Sequence, residues 1–462
     1  MTNKPLPKLV KYTYGVTDLF NTTMNNTANL MLVFTLTNVM MFPTSVVLMI
    51  TGISTTAMAF LTFFTGFIIS GTPAMRWGRH RSFMVIFAPI AAIGFVLKFT
   101  RLFADNYVAA IFIIIAYIGG NYAASLSSNS HAALVNIFTD DPKERGMLAG
   151  HRATAIGAAG IITSYTSVPL VAFLSLYISQ QASYTLMAII VGLFYLLTTW
   201  YTIWLSKGYE GVNLKGDVTE SSTKERAPIK LMLACLFKNP SLMTLVFADF
   251  LRFAGNLMLM GTTAYFFTYV VKNFPLMATF TLFGGILQTA GAFVSGQLTN
   301  LSSKFKIVLS EFMIAASLLI VYIFGFNLTI AFPLLLLYRF FQGFGFSMFF
   351  TLYADSVVYG EWKTGVFVPG FTSSMYSVSA QLGTLFNGWF LPAMLIAISF
   401  NNKIPAAEAS MEMRTNILML FALIPAGFRL LGGLVLTFFY KLTPEQLKAY
   451  RDEIVARKVA EQ

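Results

Sequence analysis

Long apolar runs recur along the whole chain, separated by short polar breaks, and this alternation sets the expected fold. A helix rises about 1.5 Å per residue, so about 20 apolar residues cross the hydrocarbon of a bilayer. Twelve runs reach that length, at roughly 12–38, 44–71, 82–102, 107–137, 148–175, 183–206, 240–271, 276–298, 306–326, 329–358, 366–397 and 413–440. Several exceed 25 residues, which predicts tilted or kinked helices. Gly119, Gly120, Gly343, Gly345, Pro392 and Pro425 lie inside them and fit close helix packing and local bending. The pattern predicts an all-α membrane protein of twelve transmembrane helices.

The polar breaks divide the runs. Residues 207–228 are rich in Gly, Ser, Thr, Lys and Glu, the composition of a flexible linker. This gives an N-terminal six-helix half (1–206), a linker (207–239), a C-terminal six-helix half (240–442) and a tail (443–462). Thr443 and Gln446 form a capping-box pattern around Pro444, so the tail reads as a short anchor helix. The fourth run ends in Ile137–Gly146 and the tenth, six helices later, in Gly360–Gly365. Both are acidic-then-basic turns, a faint internal repeat. Paired six-helix halves place a solute site at the midplane between them.

Charge then fixes an orientation and removes several functions. Only 11% of the 462 residues are charged, against about 25% in soluble domains. One side of the spans carries Lys4, Lys8, Lys11, Arg76, Arg79, Arg81, Lys143, Arg145, the linker bases, Lys304, Lys306, Lys363 and the basic tail. The other carries Lys98, Arg101, Lys272, Lys403 and Arg414. Positive-inside bias makes both termini cytoplasmic, in an integral plasma (cell inner) membrane protein. The net charge of +12 faces anionic lipid, so lipid is an expected partner and nucleic acid is not. No cleavable signal peptide is visible at the start. Cys235 is the single cysteine, and His80, His131 and His151 lack a metalloprotease spacing. No nucleophile–base pair or metal cluster lies at membrane depth, so no enzyme and no cofactor is expected. A monomer is expected.

Three patches carry a family resemblance. The first is Lys11–Asp18 (KYTYGVTD) in the first span. The second is Arg76–Arg81 (RWGRHR), followed by Asp140–Arg145 and Arg152. The third is Ala354–Gly365 (ADSVVYGEWKTG) at the junction of spans 10 and 11. Together they resemble the glycoside–pentoside–hexuronide:cation symporters, a branch of the major facilitator superfamily, over essentially the whole chain. The third patch departs from that pattern at Val358, where the family has a second Asp. The resemblance implies a major facilitator fold and sugar contacts at Asp18 and Arg152. A carboxylate accepts two hydroxyl bonds, and a guanidinium donates several in a fixed fork. The family's second sugar-binding Asp falls at Ser128, and a neighbouring aromatic falls near Ala132, so half the set is altered, which speaks against a disaccharide. The family's cation site, two Asp one turn apart on helix 2, falls at Ala59 and Phe63, with Thr62 between them. Its helix 11 Lys falls at Gln381. Acid and counter-charge are thus absent together, which predicts transport not coupled to sodium in the family's way. A uniporter or exchanger is expected first, and proton coupling through Asp18 or Asp249 second.

Ionisable groups at membrane depth face a cavity or a partner. Asp18, Arg152, Asp249, Arg252 and Arg339 qualify. Asp249 and Arg252, at i and i+3, are placed to neutralise each other. Asp18, Asn21, Asn25 and Asn29 share one helical face. Tyr353 and Tyr376 offer stacking surfaces, and Gln381, Asn129 and His131 further polar contacts. Arg429 is read as snorkelling to the surface, and Glu311 as part of a gate or loop pair. Arg79, Arg145, Asp355 and Glu361 are read as a cytoplasmic gate that closes by ion pairs between the halves. Three midplane arginines outnumber two aspartates, which predicts an anionic solute: a uronate, a sulfonated sugar or an organic acid. The alternatives are a neutral glycoside or pentoside proton symporter and, from other classes, a lipid-handling carrier or a non-transporting sensor.

Overall fold

The computed structural model describes residues 8–73, 75–139, 141–209, 238–298, 300–346, 348–365 and 369–460, and nearly all are helical. Most of the expected linker, with Cys235, lies outside them. A short turn, Lys8–Thr13, leads into α1 (Val16–Phe34). Then come α2 (Thr44–Gly71), α3 (Arg79–Lys98) and α4 (Asn106–Phe138). Next, α5 (Pro142–Thr166) breaks at Ser167 and resumes as Val168–Leu174, and α6 is Gln180–Leu205. The second half comprises α7 (Pro240–Tyr265), α8 (Leu276–Gln297) and α9 (Ser303–Phe324). It continues with α10 (Leu328–Thr364), α11 (Pro369–Ala397), α12 (Met411–Phe439) and a tail helix, α13 (Pro444–Ala460). The string 354–365 is therefore mostly the last turns of α10 rather than a loop.

Eleven helices among the described residues are long and apolar enough to cross a membrane. The first of the twelve, α1, is long enough but carries Asp18 and four asparagines. Helix ends are set locally. Asp105 accepts the Tyr107 and Val108 amides at 2.9 Å to start α4. Asn239 caps α7 through Leu242 N–H at 2.9 Å. These bonds satisfy amides that have no intrahelical partner.

Where helices touch most closely, glycine makes room. A Cβ on Gly343 of α10 would stand 1.7 Å from the Gln288 carbonyl of α8, and one on Gly291 would stand 2.0 Å from the Phe340 carbonyl. The backbones of α8 and α10 are therefore in direct contact.

The first helix of each half ends in a π turn, Thr35–Val39 after α1 and Phe266–Val270 after α7. Equivalent positions lie 231 residues apart, and Asn38 bonds to its own equivalent, Tyr269, across the seam. The same offset carries Asp18 onto Asp249. A set of hydrogen bonds between the halves lies in the part of the bundle away from the termini. Thr37 meets Tyr265 at 2.5 Å, and Asn402 donates to the Thr37 carbonyl at 2.7 Å. Thr51 donates to the Gly388 carbonyl at 2.6 Å, Trp389 to Thr56 at 2.9 Å, and Ser164 to the Thr281 carbonyl at 2.6 Å. The halves are thus joined at that distal end.

Three sequence expectations are corrected here. Arg429 does not snorkel. It is 3% exposed and donates to both oxygens of Glu311 at 2.8 and 3.1 Å, which ties α12 to α9. Glu311 accordingly belongs to a buried pair within one half, not to a gate. Lys98, counted among the loop bases, is also buried. Its ammonium donates to Asn121 at 2.9 Å and lies 5.0 Å from the Tyr117 ring centre.

Candidate solute site

Asp18 sits in the first turn of α1, and Gly15 brings that turn onto α5. A Cβ at Gly15 would lie 2.5 Å from the His151 carbonyl. The next residue, Arg152, therefore reaches the aspartate. Its Nε donates to Oδ2 at 2.7 Å and its Nη2 to Oδ1 at 2.9 Å, a bidentate pair. The Asp18 side chain is nearly enclosed, whereas the Arg152 side chain keeps 21% exposure. His131 Nδ1 from α4 approaches the same Oδ2 at 3.4 Å. The His131 ring packs on Tyr14 with centres 4.4 Å apart, and the Tyr14 hydroxyl donates to the His131 carbonyl.

The second half repeats the plan. Asp249 on α7 accepts Arg252 Nε at 2.7 Å on Oδ1 and the Tyr353 hydroxyl at 3.2 Å on Oδ2. Tyr353 also meets Ser379 of α11 at 3.1 Å. In each half an aspartate on the first helix is approached from the fourth (His131 or Tyr353) and from the fifth (Arg152 or, through Tyr353, Ser379). Arg252 is roofed by Phe253, Phe349, Phe346 and Tyr376, 4.3 to 5.9 Å away, a cation–π enclosure. Tyr353 is 2% exposed and spends its hydroxyl on Asp249, so it is not the free stacking surface the sequence suggested. Tyr376 is half-buried and meets the Tyr353 ring edge-on.

Arg339 differs from both. It lies on α10 against Gly284 of α8, where a Cβ would come within 2.8 Å of its Nε. The neighbouring Gly285 abuts Ser164 of the other half, so Arg339 stands at the seam. Its Nη1 donates to Gln342 at 3.0 Å, and Gln342 in turn bonds Asn256 of α7. Its Nε is buried without a hydrogen-bond partner, and no carboxylate among the described residues pairs with it. The i, i+3 spacing of Arg339 and Gln342 was visible in the sequence; the link to Asn256 was not.

The remaining candidates are spread along the bundle. Asn21 is half-buried with Oδ1 unpartnered, and Asn25 on the same face is exposed. Gln381 on α11 and Ala59 on α2 are half-buried. Phe63 lies in α2, but its side chain falls outside the described residues. Arg145 Nε donates to the Thr139 carbonyl of its own half at 2.8 Å. Arg79 opens α3, and Glu361 lies near the end of α10. Asp355 lines a pocket with Arg451 and Lys448 of α13, so in this arrangement it faces the tail of its own half rather than the opposite half. Outside the spans, Lys11 binds Glu144 at 2.8 Å. Bonds from Lys11 and Thr139 hold the Glu144 carboxyl below the usual carboxylate range.

Two repeated six-helix halves, with buried charges gathered on either side of their seam, define a membrane carrier of the facilitator type. The chain belongs to the MFS/sugar transport protein family, whose model matches residues 13–444, and it is a transporter, not an enzyme. It is 24% identical over 412 residues to a glucuronide carrier protein homolog of Escherichia coli (strain K12), covering 87% of this chain and 86% of that protein. It is 23% identical to a putative sulfoquinovose importer of the same strain, covering 87% and 83%. Among solved structures it matches a bacterial homolog of the human lysosomal transporter Spinster, inward-facing and unoccupied, with TM-score 0.67 and 15% identity over 96% of this chain and all of that one. It also matches a D-xylose-proton symporter with TM-score 0.61 and 14% identity, covering 93% and 96%. At these identities the structures speak for the fold alone.

Proposed function

We propose that this protein carries a small anionic sugar derivative, a uronate or a sulfonated sugar, by alternating access between its halves. The observation that carries this reading is the uncompensated Arg339. Asp18 is matched by Arg152, Asp249 by Arg252, and Glu311 by Arg429. The excess of positive charge that the sequence placed at midplane therefore resides on Arg339. A guanidinium with a free edge in a low-dielectric seam binds carboxylate or sulfonate, and Gln342, Asn256 and the α1 amides are placed for hydroxyls. The names of relatives that handle a glucuronide and a sulfonated sugar agree in chemistry.

In this reading positive-inside bias puts the termini in the cytoplasm, the joined distal end supports an inward-facing form, and the carrier works as a monomer. The gate read at Arg79, Arg145, Asp355 and Glu361 would close in the opposite state. With Ala59 and Phe63 at the positions of the family's cation-site acids, uptake does not follow a sodium gradient. A thermal-shift panel of neutral sugars, uronates, sulfonated sugars and carboxylates tests the reading. Uronates or sulfonated sugars should stabilise the wild type most, Arg339→Gln should lose that preference, and Asp18→Ala or Arg152→Ala should abolish binding while the protein stays folded. Stabilisation by neutral glycosides above every acidic analogue would overturn it.

A further inference from the structure

The geometry points to His131 as a proton-binding site linked to solute binding through the Asp18–Arg152 pair. The inference rests on the proposed solute role of that pair. His131 is 0% exposed on α4, and its imidazole is held in place from two sides. The Tyr14 ring packs on it, and the Tyr14 hydroxyl pins its backbone carbonyl. Nδ1 faces Asp18 Oδ2 at 3.4 Å, too long for a full hydrogen bond, and Nε2 has no partner. A buried ring with both nitrogens unspent is an unsatisfied polar group that calls for an explanation.

The charges around it supply one. From α1 come Asp18 and Tyr14; from α5 comes Arg152, through Asp18. From α6 comes Tyr195, within electrostatic reach of Asp18. With Arg152 docked, the Asp18 charge is balanced by a bidentate pair, and a neutral imidazole with its Nδ1–H toward the carboxylate leaves the cluster with no net charge. Arg152 is the only member of the Asp18–Arg152–His131 group with appreciable exposure, 21%. When an acidic solute draws the guanidinium away, Asp18 keeps its charge in an enclosed site. The group next to it is His131. A solvent proton bound at Nε2 makes the ring an imidazolium and turns the 3.4 Å approach into a charge-assisted bond to Asp18. No other bond is made or broken. By linkage, a proton on His131 favours release of Arg152 toward solute, and solute favours proton uptake. Glutamine at this position cannot take a proton, and aspartate replaced by asparagine cannot hold an imidazolium.

The chain has three histidines, so the imidazole can be watched directly. Protein with ¹⁵N-labelled histidine, reconstituted in liposomes, is titrated from pH 5 to 8, and the signal missing from His131→Gln identifies the ring. Arg152→Gln should hold that ring as imidazolium at least one pH unit higher than in the wild type, and Asp18→Asn should move it the other way. In weakly buffered solution, D-glucuronate binding should take up about one proton per molecule in the wild type and none in His131→Gln. An unmoved midpoint in Arg152→Gln, or full proton uptake in His131→Gln, would overturn the proposal. If glucuronate and sulfoquinovose both fail to bind, the solute reading falls, and the ligand-free titration still decides the role of His131.

Discussion

At the residue scale, the buried charges include a pair that holds helices together and a cation that waits for a partner. Glu311 and Arg429 form the pair, both about 3% exposed and bonded to each other. Removing one partner of such a pair leaves a charge stranded in a low dielectric, whereas replacing both with apolar groups of similar volume is close to neutral. Arg429→Ala should therefore destabilise the protein by about 3–5 kcal/mol, and the double change Glu311→Leu with Arg429→Met by far less. Thermal unfolding in detergent compares them. The half-buried Lys11–Glu144 bridge behaves differently. Its carboxyl is depressed, so its contribution is present above the ordinary carboxylate pKa, about 4.3, and is lost as pH falls through the lower folded value. In Lys11→Gln the Glu144 carboxyl should titrate at higher pH than in the wild type, read by ¹³C carboxyl shifts.

The same scale shows what one sequence could disclose. Asp249 and Arg252 are three positions apart, so helical periodicity alone brings them together. Asp18 and Arg152 are 134 residues apart and were linked only through the family pattern. Glu311 and Arg429 are separated by 118 residues and carry no local signal of pairing. Nearness to a helix end favoured a snorkelling arginine until the fold placed α9 beside α12. Lys98 misled for the same reason: a lysine at the end of a span is usually solvated, but Asn121 and Tyr117 on α4 enclose this one.

At the element scale, the apolar runs gave most helix ends closely, because a bilayer imposes a fixed length, but missed the polar turns that open α5 at Pro142 and close α10 at Thr364. The runs did not reveal where helices bend. The π turns at Thr35–Val39 and Phe266–Val270, where Asn38 bonds Tyr269 across the seam, leave no mark in the hydrophobic pattern. Nor did glycine counts reveal which glycines are obligatory. Gly343→Ala forces a methyl into the Gln288 carbonyl. It should cost about 1–3 kcal/mol through overpacking and weaken the α8–α10 contact that positions Arg339. Gly157→Ala, with nothing within 4 Å of the added methyl, should be silent. Melting temperatures of the two variants test this directly, and equal losses would show that the crossing is looser than described.

At the scale of the whole molecule, two halves repeat one plan 231 residues apart and meet at one end. Transport then requires the distal contacts to part. Cysteines at Thr37 and Tyr265, introduced in a Cys235→Ser background and bridged by a short bifunctional thiol reagent, should stop uptake into proteoliposomes while leaving solute binding in detergent intact. Undiminished uptake after complete bridging would mean that these contacts are not a gate.

The central claim is that an unpaired arginine at the seam selects an acidic sugar. The most direct test is calorimetric titration of the purified protein with D-glucuronate and with D-glucose, in the wild type and in Arg339→Gln. The account predicts at least tenfold tighter binding of glucuronate by the wild type, and collapse of that preference in Arg339→Gln. Equal or tighter binding of glucose by the wild type would contradict it.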